Sequence, residues 1–309
     1  MKIRVIGVGD NVVDHYLHTN MIYPGGNALN FAVYAHLRGY DAAYLGVFGD
    51  DQAAAHVYRT LNHLGIKTDH CRFFLGEGGR AKVTIKDGDR VFMGSNKGGI
   101  AKKHPLEFSQ LDLEYLKGYS LLHTSIFSYI DNQLPILHAA GIRVSYDFSN
   151  KFDLEMLRER CPYIWCTCLS SSERSEEENV ALMETVKSFG CQMVLLTSGE
   201  KGAMLLTDRN LYRQSPWLVQ AKDTMGAGDS FLTAFLTSYL EAAGDGRDYP
   251  DTAGAEGILS YKEFEDDLIR VSLHRAAVFS AETCLKTGSF GFGTEWEAPE
   301  ERNDMEERT

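Results

Sequence analysis

Short apolar runs alternate with stretches of helical spacing along most of this chain. The run at residues 2–8 is typical of a buried parallel strand, because both faces of such a strand are covered. Similar runs follow, at residues 44–48, 120–123, 141–151, 163–169 and 192–197. Apolar residues at helical spacing lie between and after them, at residues 33–38, 51–65, 231–236 and 267–283. This alternation predicts an α/β fold around a mostly parallel sheet.

The period of the pattern changes near residue 80. Residues 80–85 and 90–92 alternate between polar and apolar side chains around Asp87-Gly88, which is a hairpin signal. A hairpin does not belong to a parallel sheet built from βα units, because its strands are antiparallel. The pattern therefore predicts a small separate sheet that residues 16–23 join and to which the polar run 94–103 returns.

Composition limits the class of protein. A chain of 309 residues, 44% of them hydrophobic, can hold one large α/β domain or two small ones with a sizeable core. The formal charge of −12 argues against a nucleic-acid or acidic-membrane partner. No apolar run approaches the roughly 20 residues of a membrane span, and the start reads as a strand rather than as a signal peptide. We therefore expect a cytoplasmic protein without a membrane partner.

Three of the six cysteines, Cys161, Cys166 and Cys168, cluster in the sequence. A soft metal site is conceivable there, but no His or Cys pair at zinc-ligand spacing completes a set. Buried free thiols in a reducing cytoplasm are therefore the favoured interpretation.

Two stretches are predicted to lie outside the main fold. Residues 244–257 are rich in Gly, Asp and Ala and are interpreted as a surface insertion without an assigned function. The tail from residue 294 contains seven acidic residues against two basic ones, which predicts a solvated, disordered end.

A small-residue loop leads into the apolar helix near residue 230. Gly226, Ala227 and Gly228 let the backbone approach a bulky partner, and the unpaired amides of the helix start form an anion site. Asp229 follows directly. An acid in the first turn of a helix is ordinarily a capping residue, but beside an anion site it can also accept a proton. The loop by itself favours phosphate binding over capping alone.

A second loop, near residue 25, also leads into a helix. Asn27 and Asn30 lie on one face of that helix start, and their amides suit sugar hydroxyls, although an N-cap is the simpler alternative. Asp10 and Asp14 follow the first strand, at the edge where α/β sheets bind ligands. They are either ligand contacts or turn formers.

The two loops resemble the two signatures of the PfkB carbohydrate kinases, the ribokinase-like sugar kinases. Residues 223–229 read Asp-Thr-Met-Gly-Ala-Gly-Asp, and residues 25–49 match the spacing of the N-terminal signature. Thr233 departs from the small residue that is usual at its position. The resemblance covers residues 2–293. It implies one domain, 1–293, folded as a three-layer sandwich with a small β-sheet lid from about 15–24 and 80–100.

The resemblance also implies ATP, Mg²⁺ and residue roles. It makes Asp229 the catalytic base beside the amides of the anion loop, which are those of Gly226, Ala227 and Gly228. It implies a sugar site, formed by Asp10, Asp14, Gly25, Gly26, Asn27 and Asn30. It implies a nucleotide site, formed by Thr197, Gly199, Gly202, Thr224, Gly226, Gly228, Ser280 and Thr283.

The metal sites and the assembly follow less directly from the resemblance. The family usually has Asn-x-x-Glu near Mg²⁺, whereas here Ser170 replaces the Asn and Glu173 is kept, with Glu176 as a substitute. A monovalent cation beside the anion loop would be held by Asp223 and Gly288. The lid of the family is often a dimer contact, which implies a homodimer through the lid.

Four shorter segments indicate a narrower class of substrate. Residues 9–14, 89–92, 137–141 and 147–151 resemble those of the fructoselysine 6-kinases, a group of fructosamine kinases within the family. The implied reaction is ATP-dependent 6-phosphorylation of a fructosamine amino acid. We expect its ammonium to pair with Asp10 or Asp14, and its carboxylate to meet a base on the lid, Arg80 or Lys82. The alternatives are a ribokinase- or fructokinase-type activity on a free sugar, and a non-catalytic sugar-binding protein.

Overall fold

The computed structural model of the protein describes residues 3–86, 89–243 and 261–297. Its helices and strands follow one another in this order: β1 (Arg4–Gly9), β2 (Val12–Tyr16), β3 (Met21–Gly25), α1 (Asn27–Leu37), β4 (Asp41–Phe48), α2 (Gln52–Leu64), β5 (Arg72–Phe73), β6 (Gly79–Lys86), β7 (Asp89–Ser95), α3 (Ile100–Lys103), α4 (Gln110–Leu116), β8 (Leu121–Ser125), α5 (Leu134–Ala139), β9 (Val144–Asp147), α6 (Leu154–Arg160), β10 (Cys166–Ser170), α7 (Glu176–Lys187), β11 (Met193–Thr197), β12 (Ala203–Leu206), β13 (Leu211–Gln214), α8 (Ala227–Ala243), α9 (Tyr261–Cys284) and β14 (Thr294–Glu295).

In the described part of the chain, the large sheet has nine strands in the order β13-β12-β11-β10-β9-β8-β1-β4-β5. The seven strands β11, β10, β9, β8, β1, β4 and β5 lie side by side in this spatial order, and each pairs in parallel with its neighbour. The strands β12 and β13 add an antiparallel edge. The prediction of a mostly parallel sheet is confirmed. The carboxyl ends of β1, β8, β9, β10 and β11 consequently share one edge, and the loops after them can meet a common ligand there.

Helices cover both faces of the large sheet. Ile6 and Val8 of β1 pack on one side with residues of α4–α7, whereas Val5 packs on the other side with residues of α1, α8 and α9. Successive side chains of a strand point to opposite faces of the sheet. A strand whose two faces are both covered by helices is therefore apolar at nearly every position. This explains the continuous apolar runs of the sequence and produces the predicted three layers.

Local signals fix the ends of the helices. Asp51 caps α2, since its Oδ1 accepts a hydrogen bond from the amide of Ala54 at 2.9 Å. Gly65 ends the same helix with a φ of 74°, which glycine adopts at little cost. These two residues bound the helix that the periodicity predicts at 51–65.

The second sheet has the strand order β14-β3-β2-β6-β7. It contains the predicted hairpin, β6 with β7, whose turn at residues 87–88 lies outside the described residues. The sheet begins at Val12, before the predicted residue 15, and the run 94–103 contributes the end of β7 and the short helix α3 rather than another strand.

The predicted start of the disordered tail at residue 294 is wrong. Thr294–Glu295 forms β14, which pairs antiparallel with β3 opposite Ile22 and Met21. The acidic composition obscured this strand because the pairing depends on a partner 272 positions away, Ile22 opposite Thr294. Residues 298–309 and the predicted insertion at 244–257 lie outside the described residues.

Two further features bear on the sequence analysis. Cys161 packs on the α4–α7 side of the large sheet, whereas Cys166 and Cys168 pack on the side of α8, so the three thiols do not converge. Among the residues that the structure describes, no helix is both long enough and apolar enough to cross a membrane.

Candidate functional site

Asp10 fixes the start of α1 rather than facing an open site. Its Oδ2 accepts from the amide of Asn27 at 2.6 Å, and its Oδ1 accepts from the amide of Ala28 and from the hydroxyls of Ser125 and Ser128. The residue is 6% exposed. Four protein donors leave its carboxylate little capacity for a ligand. The assignment of Asp10 as a substrate contact is therefore corrected to a positioning residue.

Gly25 and Gly26 are glycines because the backbone is crowded there. A Cβ on Gly25 would lie 2.6 Å from the carboxylate Oδ2 of Asp14, and one on Gly26 would lie 2.8 Å from the carbonyl oxygen of Asp10. Gly26 also has a φ of 113°, which L side chains rarely adopt. Gly25 thus lets the end of β3 approach the acid of β2, and Gly26 lets the start of α1 approach the backbone of Asp10 and Asn11.

The two asparagines of α1 each hold an aspartate. The Asn27 amide nitrogen donates to Asp147 Oδ2 at 2.7 Å, and that of Asn30 donates to Asp229 Oδ2 at 2.6 Å. Asn27 and Asn30 are one helical turn apart, so their side chains are neighbours on one face. The two aspartates therefore lie side by side along the first turn of α1.

Burial and like charge perturb both aspartates. Burial raises the pKa of Asp147 to about 6, against hydrogen bonds from Ser149 and Asn27 that lower it. Burial, followed by the negative charge of Asp147, raises the pKa of Asp229 to about 7. A carboxylate with a pKa near neutral is suited to take a proton from an alcohol and release it again. This is the electrostatic signature expected of a general base.

The loop before α8 presents free amides to the cleft. The amide of Ala227 already donates to the carbonyl oxygen of Thr224 at 3.2 Å. The amides of Gly228 and Asp229 donate to no carbonyl oxygen within the described residues. A Cβ on Gly228 would meet nothing within 4 Å, so that residue borders open space. The predicted anion site thus has its best donors at Gly228 and Asp229, rather than at Ala227.

Gly226 gives this loop its shape. Its φ is 73°, and a Cβ there would lie 2.3 Å from the hydroxyl oxygen of Tyr34. Gly226 is therefore required by the turn and by Tyr34 at once.

Asp223 ties the loop to the small sheet. Its Oδ2 accepts from the Tyr16 hydroxyl at 2.6 Å and from the Gly288 amide at 2.9 Å, and its Oδ1 accepts from the Met225 amide at 2.9 Å. Asp223 and Gly288, the candidates for a monovalent cation, are therefore in contact with each other. The direct function of Asp223 in this structure is to hold β2 of the small sheet against the anion loop.

A cleft of about 1120 Å³ borders the anion loop. It brings together most of the residues predicted to bind the nucleotide, namely Thr197, Gly199, Gly202, Thr224, Gly228 and Ser280. Gly226 does not line this cleft, and neither does Thr283. Its side chain is buried, and its hydroxyl donates to the carbonyl oxygen of Phe279 in the same helix. The assignment of Thr283 as a nucleotide contact is therefore wrong, because it points into the packing of α9.

Two residues that line the cleft also hold its walls in place. Ser280 donates its hydroxyl to the carbonyl oxygen of Ala227 at 2.9 Å, and so connects α9 to the anion loop. A Cβ on Gly202, where φ is 92°, would lie 2.2 Å from the carbonyl oxygen of Gln214. The turn after β11 thus needs glycine at this position to pass β13 and line the cleft.

The carboxylates fit a magnesium ion that is held mainly by phosphates. Glu173 lines the cleft and is exposed, whereas Glu176 forms an ion pair with Arg213. No group of three or more metal-ligating side chains occurs in the described ranges. Mg²⁺ typically keeps waters and substrate phosphates as ligands and takes only one or two protein carboxylates. Glu173 can supply such a carboxylate, and its side chain meets the cleft where Glu176 does not.

Several lining residues were missed by the sequence analysis. Asp147 was noted only as part of the segment 147–151, and its pairing with Asn27 is a contact between residues 120 positions apart. The segment 216–219 contributes Trp217, Leu218 and Val219, which stay 55%, 73% and 40% exposed. An apolar run directly after an edge strand is the signal that could have indicated this wall of the cleft.

The small sheet supplies a testable motion. Its β2 presents Asp14 to the site and is held to the anion loop through Tyr16. If this sheet is a lid, added sugar should slow amide exchange in β2, β3 and β6. The slowing reaches about 100-fold at a sugar concentration near 100 times Kd. Tyr16→Phe, which lacks the bond to Asp223, should show less slowing. Protection that is confined to the large sheet would contradict the lid.

Comparison with known proteins agrees with this geometry. A family model described as pfkB family carbohydrate kinase matches residues 1–254. The chain is 38% identical over 291 residues to the fructosamine kinase FrlD of Bacillus subtilis (strain 168), and 94% of each chain is covered. It is 32% identical over 233 residues to the fructoselysine 6-kinase of Escherichia coli (strain K12), with 75% and 87% covered.

Solved structures show the same fold. The ribokinase of Giardia lamblia superposes with a TM-score of 0.74 at 16% identity, and 94% of this chain and 95% of that chain are covered. A fructokinase with bound ATP from Xylella fastidiosa superposes with a TM-score of 0.68 at 18% identity, with 94% of each chain covered. The expected three-layer architecture with a small second sheet is thus that of solved sugar kinases.

Proposed function

Since this chain belongs to the PfkB family of carbohydrate kinases and is an ATP-dependent sugar kinase, we propose that its acceptor is a fructosamine amino acid such as fructoselysine. The transferred group is the γ-phosphoryl group of ATP and the acceptor is the 6-hydroxyl. The observation that supports this most is the position of Asp229. It lies at the junction of an acidic cluster along α1, which consists of Asp147 and Asp229 bonded to Asn27 and Asn30, and the free amides at the start of α8.

Asp229 acts as the general base in this proposal. Its carboxylate is oriented by Asn30 at 2.6 Å, and burial raises its pKa to about 7. It accepts the proton of the acceptor hydroxyl as the oxygen attacks the phosphorus atom. Because the base follows the anion loop directly, the hydroxyl that it holds also faces the phosphoryl group. Positioning of this kind accounts for much of the catalysis in phosphoryl transfer.

The start of α8 stabilises the developing negative charge. The amides of Gly228 and Asp229 have no partner among the described residues, and Gly228 lines the cleft that would take ATP. Fixed donors aimed at charge that grows in the transition state lower the barrier without reorganising. Bound Mg²⁺ would neutralise charge on the phosphates, with Glu173 as its protein ligand.

The substrate class is supported by the relatives and by the charge of the acidic cluster. The two relatives at 38% and 32% identity are a fructosamine kinase and a fructoselysine 6-kinase. A fructosamine brings an ammonium group next to its sugar, and the acidic cluster along α1 contains carboxylates. A charge-assisted hydrogen bond between them is stronger than a neutral one.

The lid does not supply the expected base for the carboxylate of the substrate. Arg80 and Lys82 pair with Val13 and His15, whereas Asp14 pairs with Ala81. Because successive side chains alternate between the faces of a strand, both bases face away from Asp14. Arg80 lies over the ring of Trp296, 4.4 Å from its centroid. The expectation that Arg80 or Lys82 meets the substrate is therefore wrong.

Homodimerisation through the lid stays a prediction. Phe92 and Met93 of the edge strand β7 are 63% and 58% exposed. Exposed apolar side chains on an edge strand suit a contact between two copies of a chain.

The product of the reaction tests the proposal. With ATP, Mg²⁺ and fructoselysine, we expect one ADP per sugar, and NMR should place the new phosphomonoester on the carbon-6 oxygen. Phosphate on another oxygen would contradict the proposed orientation. Binding of sugar without any ADP would favour the rival class, a non-catalytic sugar-binding protein.

A further inference from the structure

An acidic cluster of acceptors lies along the first turn of α1. Asp147 is 8% exposed, and both of its carboxylate oxygens are fixed, Oδ2 by Asn27 and Oδ1 by the amide of Ser149 at 2.7 Å. Asp229 lies one turn further along, on Asn30. The Oδ1 atom of Asn30 is buried and has no hydrogen-bond partner within the described residues. Three acceptor groups are thus held side by side on one face of α1.

Among the described residues, no basic side chain balances these carboxylates. The Lys and Arg side chains that form ion pairs there do so with other acids, and none pairs with Asp147 or Asp229. Burial is the main cause of the raised pKa of both carboxyls. The negative charge of Asp10 raises the pKa of Asp147 further, and that of Asp147 raises the pKa of Asp229 further. Buried like charges without a counter-ion are unfavourable, so a ligand that brings positive charge should be favoured.

We propose that Asp147 is the residue that selects a fructosamine over a free sugar, by accepting a charge-assisted hydrogen bond from the substrate ammonium. This inference rests on the proposed function and adds the residue that recognises the substrate class. Asp229 takes the hydroxyl at one end of the sugar, and Asp147 takes the amine at the other. The two acids are held by side chains about 5–6 Å apart along α1, a separation that one sugar ring can span.

Local geometry keeps Asp147 ready for this contact. Ser149 has a φ of 53°, which turns its amide back onto the carboxylate of Asp147. A non-glycine residue with positive φ is uncommon and is retained where the surroundings demand it. The turn orients the acid before substrate arrives, and a preorganised acceptor loses little entropy on binding.

The same cluster argues against Asp10 as the ammonium partner. Asp10 is already bonded by four protein donors, whereas Asp147 accepts from two. A carboxylate has about four lone-pair sites in all, so Asp147 keeps acceptor capacity and Asp10 does not.

The test compares fructoselysine with fructose as substrates of the wild-type enzyme and of Asp147→Asn. In Asp147→Asn, kcat/KM for fructoselysine should fall about 10- to 100-fold, the range for losing a hydrogen bond to a charged group. For fructose, kcat/KM should change by less than about threefold, because fructose has no amine to pair. Asp41→Asn loses the same charge at a surface ion pair with Arg4 and Lys67 and is the matched control. It should leave both values unchanged.

A structural function of Asp147 gives a different result. If the acid only positions Asn27, both substrates should lose activity in parallel, which would overturn the proposal. A parallel loss together with a higher Mg²⁺ requirement would assign Asp147 to the metal and would overturn it as well. The pH profile with fructose adds a further readout. Loss of the Asp147 charge should lower the pKa of Asp229, so the acidic limb of kcat/KM should move to lower pH.

A second measurement covers a variant that does not fold. The wild-type enzyme is given a fructoselysine analogue in which an ether oxygen replaces the linking amine. We expect kcat/KM at least about tenfold below that for fructoselysine. Equal use of the two would overturn the proposal. If the wild-type enzyme prefers fructosamines and Asp147→Asn keeps the preference, only this inference fails. If the wild-type enzyme does not phosphorylate fructosamines, the proposed function fails with it.

Discussion

Replacing Asp229 by Asn should lower kcat by about 10²- to 10⁴-fold, the usual range for a positioned general base. The amide keeps the shape of the side chain and a hydrogen bond with Asn30, so sugar and ATP should still bind. It cannot accept the proton of the attacking hydroxyl. We expect KM for the sugar to change by only a few-fold, because the loss falls on the chemical step.

The pH profile provides the second readout of the same variant. In the wild-type enzyme the Asp229 carboxyl has a pKa of about 7, raised by burial, so it is protonated and inactive as a base below that pH. The value of kcat/KM should therefore fall by about tenfold per pH unit below pH 7. Asp229→Asn should lose this limb.

Asp51→Asn is the matched control for Asp229→Asn. It removes one charge from the cap of α2, where Asn caps a helix as well as Asp does. A normal kcat in Asp229→Asn, with the acidic limb intact, would exclude Asp229 as the base.

The sequence was informative where short segments act alone. Gly226, Gly228 and Asp229 belong to one loop and one helix start, so their spacing predicts an anion site and a neighbouring acid. The same holds for Gly25 and Gly26 before α1. The βα alternation likewise predicted the large sheet, because a strand covered on both faces must be apolar throughout.

Contacts between distant segments could not be read in the same way. Nothing local to Asp10 reveals that Ser125 and Ser128 would saturate it, and nothing local to Asp147 reveals Asn27. Thr283 shows the complementary error, since the family resemblance placed it on the helix beside the cleft but did not give its direction. Burial decides such cases, and burial is a property of the assembled fold.

The strand β14 has a related explanation. Its two residues are threonine and glutamate in an acidic tail, and local composition there favours a solvated chain. Pairing with β3 provides backbone hydrogen bonds that composition does not register.

The central prediction concerns substrate choice. We expect kcat/KM for fructoselysine, or a closely related fructosamine amino acid, to exceed that for fructose or ribose by at least about 10²-fold. The reason is the acidic cluster along α1, where a free sugar leaves buried carboxylates without a positive partner. Leaving such groups unpaired is more costly than losing an ordinary contact.

An internal competition measures this preference most directly. Equimolar fructoselysine and fructose are incubated with ATP, Mg²⁺ and a small amount of enzyme, and the two phosphorylated products are quantified early in the reaction. Their ratio equals the ratio of the two kcat/KM values and does not depend on the amount of active enzyme. The account predicts at least about 100 fructoselysine phosphates for each fructose phosphate. A ratio of one or less would contradict it and would identify a kinase for free sugars.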